Sequence, residues 1–125
     1  MKKIFLSATV VFVTGFLSLQ AQNLNHTAWK TYFGDPINDT ISWHFEGDTS
    51  YVLGSHGDVF VRSHYKVVKD TLNISDYDGQ YQCPAMDAKY TFTVSGSELS
   101  LVLVEDACQG RNAIAGIKWI RLKTK

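Results

Sequence analysis

The chain has 125 residues, 12 basic and 12 acidic side chains, and 45% hydrophobic residues. That is enough for one modest core in one domain. The basic residues are scattered and form no stripe, which argues against nucleic acid or an anionic membrane surface as partners.

The first residues speak to compartment. Lys2 and Lys3 precede an apolar run from Ile4 to Leu19, and Leu19-Gln20-Ala21 offers a small residue for cleavage before Gln22. This pattern predicts a secretory signal peptide over 1–21 and a mature domain over 22–125, exported to the periplasm or outside the cell. A retained membrane anchor is the alternative, but the run is short and a cleavage-like site follows it. No later stretch is apolar and long enough to span a bilayer, so no integral membrane association is expected.

The mature sequence then alternates with period two. Trp29 sits in a run over 26–33, and Trp43 and Phe45 alternate with Ser42, His44 and Glu46. Val59, Val61, Tyr65 and Val67 alternate with Phe60, Arg62, His64 and Lys66; Leu72 and Ile74 alternate with Asn73 and Ser75. Tyr90, Phe92 and Val94 alternate with threonine and serine, and Leu99, Leu101 and Leu103 with Ser100, Val102 and Val104. Such runs predict half-buried strands near 26–33, 41–46, 49–54, 58–68, 71–75, 89–95, 98–105 and 116–123. Turn signals lie between them, among them Gly47-Asp48, Lys69-Asp70, Asp78-Gly79 and Ser95-Gly96-Ser97. Stretch 106–115 breaks the alternation and predicts a turn of helix around Arg111-Asn112-Ala113-Ile114; stretch 79–88 reads as a loop carrying Cys83. Eight short strands with tight connections predict an all-β, antiparallel up-and-down barrel. A two-sheet sandwich is the alternative.

Chemistry-bearing residues are sparse. Cys83 and Cys108 are the two cysteines, and in an exported chain they are expected to bond. Zinc would need more Cys or His at close spacing, and a nucleophilic thiol would need an activating base. His26, His44, His56 and His64 show no H-x-H or H-x-x-x-H spacing, so no metal is expected; solvent-facing strand histidines are the commoner case. Asp76, Asp78, Asp87, Glu105 and Asp106 read as turn carboxylates, and with the bond between the cysteines Asp106 and Arg111 read as scaffold for a turn. No nucleophile elbow, zinc-helix or phosphate-loop motif is present, so neither an enzyme nor a cofactor is expected. Of the many aromatic residues, Trp43, Tyr51, Tyr65 and Phe92 are the expected inward positions for contact with a ligand. A lumen packed solid by these rings is the competing expectation.

Trp29 on the first mature strand, Arg121 in "IKWIRL" on the last, and the up-and-down series between them together resemble the lipocalins and the wider calycin group. The cysteines in "YQCPAMDAKYTF" and "DACQGR", followed by "GIKWIRL", are similar to small lipocalin-like proteins exported by bacteria. The resemblance implies that Trp29 and Arg121 stack across the closed end of the barrel. It also implies a ligand held in the lumen and entering at the opposite end. The family's glycine two residues before the tryptophan is Thr27 here, and the chain is short for the family, so a small cavity and a small apolar ligand are expected. The alternative is an inhibitor or interaction module acting through its surface on another exported protein; "YQC" resembles the small one-disulfide lysozyme inhibitors of bacteria. A monomer is expected in either case.

Overall fold

The computed structural model describes residues 23–83 and 87–123; the expected signal peptide over 1–21 lies outside them. Eight strands run in order: β1 (Thr27–Phe33), β2 (Asp39–Glu46), β3 (Thr49–Leu53), β4 (Val59–Val68), β5 (Thr71–Asp78), β6 (Ala88–Ser95), β7 (Glu98–Glu105) and β8 (Lys118–Arg121). Each pairs antiparallel with its sequence neighbours, and β8 returns to β1, so the sheet closes into a barrel. The two-sheet alternative is thereby set aside. A single 3-10 turn, Arg111–Ile114, interrupts the β7–β8 connection where the alternation failed.

Period-two patterning explains the interior. Ile41, Trp43 and Phe45 of β2, Leu72 and Ile74 of β5, Ala88, Tyr90 and Phe92 of β6, Leu99 and Leu101 of β7 and Trp119 of β8 are all buried. Successive side chains of a strand point to opposite faces, so one apolar set per strand fills the lumen. The β2–β3 and β6–β7 connections each turn through a glycine of positive φ, Gly47 and Gly96, a conformation open to glycine without steric penalty.

One end is sealed. Leu24 and Trp29 are fully buried there, Trp29 Nε1 donates to Thr27 Oγ1 at 2.9 Å, and the Thr27 hydroxyl donates to the Leu24 carbonyl. The Arg121 guanidinium carbon lies 5.5 Å from the centre of the Trp29 ring, and the two residues face each other in the β1–β8 ladder. A cation over an indole contributes about 0.5–2 kcal/mol.

Two strict-alternation expectations fail, for different reasons. Alternation places Phe60 on the same face as Arg62, His64 and Lys66. A register shift between β3 and β4 pairs Leu53 with Val59 but Val52 with Val61, which leaves Phe60 as an extra residue, and its ring reaches the lumen beside Val61. Alternation groups Leu103 with Leu99 and Leu101, yet it is 43% exposed. On its β7 side the four-residue β8 reaches only Glu98–Ser100, so the far half of β7 is paired with β6 on one edge and open on the other.

Candidate functional site

At the end opposite Trp29 the barrel holds a partly open cavity of about 290 Å³. Its walls are Phe33, Ile37, Ile41, Trp43, Val52, Phe60, Val61, Ile74, Ile114 and Trp119. The β1–β2 loop, the β5–β6 loop with Tyr81, Gln82 and Cys83, and the β7–β8 connection with Cys108, Gly110 and Arg111 form its rim. Gly79, at φ +114°, lets the β5–β6 loop press onto β4: a Cβ there would run into the Phe60 carbonyl and the Val61 Cα. The Tyr81 amide then donates to the Phe60 carbonyl at 3.0 Å, and the Tyr81 ring meets the Phe60 ring edge-on.

The cavity is not wholly apolar. Ser63 of β4 and Asp76 of β5 stand directly opposite each other, both buried and both in the cavity wall, with buried Ser50 of β3 next in the row outside the cavity. The Ser63 hydroxyl donates to Asp76 Oδ1 at 2.7 Å, and the Cys83 amide donates to Asp76 Oδ2 at 2.9 Å. Arg111, from the 3-10 turn, reaches Asp76 Oδ1 with Nη1 at 3.3 Å. Its Nε and Nη2 donate to the two oxygens of Asp106 at 2.8 and 3.0 Å. Asp106 also accepts from the Tyr90 hydroxyl and from the Cys108 amide. The Arg111, Asp76 and Asp106 side chains are 7%, 3% and 0% exposed.

The titration of this cluster follows from its contacts. Burial alone would raise the Asp106 carboxyl; the Arg111 fork, the Tyr90 hydroxyl and the Cys108 amide outweigh burial and hold it below the usual carboxylate range. Burial works against the Arg111 cation, and its two carboxylates more than compensate, so it stays charged. Burial, then the Asp106 hydrogen bond and charge, push the Tyr90 phenol far up, so Tyr90 acts as a donor.

Cys83 and Cys108 are at disulfide-bonding distance, with Cα atoms 6.1 Å apart, and both line the cavity. Among the described residues no cysteine is free, and no group of three or more His, Cys, Asp or Glu could hold a metal.

Of the four residues expected to meet a ligand, the cavity includes Trp43 and omits three. Tyr51 is a correction of facing: it points outward and stacks on His44, rings 4.8 Å apart and nearly parallel, because Ser50 and Val52 take the inward parity of β3. Tyr65 faces inward but at the sealed end, its amide bonded to the Asp48 carbonyl in the β2–β3 turn and its ring edge-on to Phe45. Phe92 is also at the sealed end, where its amide donates to Asp70 in the β4–β5 turn. Asp106 and Arg111 do brace the turn, as expected, yet Arg111 is also cavity wall. Sequence reading missed Asp76, Ser63, Phe60 and Trp119 as cavity residues.

No protein-family model, curated protein or solved structure matches the chain. No helix among the described residues is long and apolar enough to cross a membrane.

Proposed function

We propose that the protein is an exported, lipocalin-like binding protein that holds one small, largely apolar molecule in the open end of its barrel. The observation that carries this reading is the cavity of about 290 Å³ walled by aliphatic and aromatic side chains with one polar cluster. Ligand sites are of this kind, concave and apolar with a few placed polar groups, and this one lies at the small end of their size range. A lumen packed solid would have argued for the competing reading. Export is supported by the apolar N-terminal run after Lys2 and Lys3 and by the paired cysteines. Binding is favoured over catalysis because Asp76 and Arg111, the charged groups in the wall, are engaged in holding the rim together.

A second reading, a surface acting on another exported protein, draws on the outer face of β2–β5. There His44 stacks on Tyr51, His64 stacks on Tyr77, and Arg62 faces Tyr51 across the ladder. Tyrosine and arginine dominate the energetics of protein interfaces.

The test is titration with N-phenylnaphthylamine, following the probe's own emission. Saturable binding at micromolar probe is expected, and Val52→Trp, which fills the cavity, should abolish it while unfolding stays cooperative. Absence of saturable binding, or equal binding by the filled variant, would refute the carrier reading and leave the outer face as the next site to examine.

A further inference from the structure

The polar cluster has a sign. Arg111 brings one positive charge, and Asp76 and Asp106 both contact it. Asp76 accepts hydrogen bonds from the Ser63 hydroxyl and the Cys83 amide and stands in an ion pair with Arg111 Nη1 at 3.3 Å. Asp106 accepts from Tyr90, Cys108 and Arg111. With two carboxylates against one guanidinium, the cluster has a formal excess of negative charge. No other charged side chain lines the cavity among the described residues.

Resting on the carrier reading, we propose that the cavity selects apolar molecules bearing an amine or other cationic hydrogen-bond donor at the inner end, and rejects carboxylates. Asp76 is the group that meets the donor. A carboxylate has about four acceptor sites; two hydrogen bonds and the Arg111 ion pair engage Asp76 here, which leaves capacity for a donor from the cavity. An ammonium group would neutralise the cluster, and in a poorly hydrated site that attraction is much stronger than in water. A fatty-acid headgroup would meet the opposite situation. Its natural partner, Arg111, is already clamped through Nε and Nη2 by Asp106 and held by Asp76 at Nη1. Its charge would add to an uncompensated one, and like charges at one site are disfavoured. The apolar wall, with Trp43, Phe60 and Trp119, takes the hydrocarbon part.

The experiment is displacement of bound N-phenylnaphthylamine at neutral pH by three chains of equal length: octylamine, octanol and octanoate. Octylamine should compete at least about tenfold more strongly than octanoate, with octanol between them. Asp76→Asn should shrink that ratio to within about threefold, and Asp106→Asn should shrink it too, so the point survives if one variant fails to fold. Octanoate competing as well as octylamine, against a probe that does bind, would overturn the charge selection and leave the carrier reading standing. Failure of the probe and of all three chains to bind would overturn both. A ratio unchanged in a folded Asp76→Asn protein would show that the preference does not come from this cluster.

Discussion

Replacing Arg111 by methionine keeps much of the side chain's length and removes the charge that holds two buried carboxylates. With Asp76 and Asp106 side chains 3% and 0% exposed, neither can recover its hydration by a small movement. Breaking a buried ion pair from one side typically costs about 3–5 kcal/mol. Domains of this size have about 5–15 kcal/mol in all, so the variant should stand near the edge of folding. Urea unfolding followed by the emission of Trp43 and Trp119 reads this directly. With a slope of about 1.5 kcal/mol per molar, the midpoint should fall by about 2–3 M at neutral pH. The loss should shrink as pH drops through the carboxyl range, because the stranded Asp106 carboxylate, no longer held down by Arg111, can then take up a proton. The neutral combination Arg111→Met, Asp76→Asn, Asp106→Asn should recover a large part of the loss, since removing a whole buried ionic group is far milder than removing half of one. A fall of less than about 1 kcal/mol in the single variant, or an equal loss in the combination, would refute the view that opposed buried charges dominate here.

Three further outcomes are expected. Reduction, or Cys83→Ser with Cys108→Ser, should lower stability by about 3.5 kcal/mol for a closed loop of 25 residues, read as a shifted denaturation midpoint; an unchanged midpoint would count against the bond. Trp29→Ala should cost about 3–5 kcal/mol as a cavity in the sealed end, and Arg121→Ala about 0.5–2 kcal/mol, so equal losses in thermal unfolding would contradict the packing described. Asp106 has a folded pKa below its unfolded value, so its contribution is full above the ordinary carboxyl value of about 4 and is lost as pH falls toward the lowered one. Asp106→Asn should therefore flatten the acid limb of a stability–pH curve, and an unaltered acid limb would place that titration elsewhere.

The strands and turns were legible because period-two patterning and turn chemistry act locally. All eight strands lie within a few residues of the positions read from alternation, and the break at Arg111–Ile114 is the 3-10 turn. The Trp29–Arg121 contact was legible only through resemblance, since nothing local connects residues so far apart. The cavity cluster was hidden for two reasons. Alternation alone ends β5 at Ser75 and leaves Asp76 as a turn residue, although it continues the inward series Leu72, Ile74. An acidic residue at an inward position asks for a buried partner, and that signal was present. Its partner Arg111 was not deducible, because which side chains meet across the lumen depends on register and on the bulges. The extra residue Phe60 shows the same dependence: one register shift places two successive side chains in the wall.

The shortness of β8 also bears on how the chain folds. Seven of the eight pairings join strands adjacent in sequence, and such hairpins form within microseconds. The eighth rests on two facing residue pairs, Trp29 with Arg121 and Lys30 with Ile120. Loop-closure entropy grows only logarithmically, so joining ends about 90 residues apart costs about 2 kcal/mol more than closing a span of about 10. The seam is therefore limited less by the distance it must bridge than by how little ladder rewards the bridging. Until the β1–β8 seam closes, a curled sheet with two open edges is the species at risk, and those edges belong to β1 and to β8 with the uncovered half of β7 beyond it, where Val102 and Val104 are exposed. Loss of the last few residues of β8 would turn that passing intermediate into the resting state, and self-association would be its first symptom.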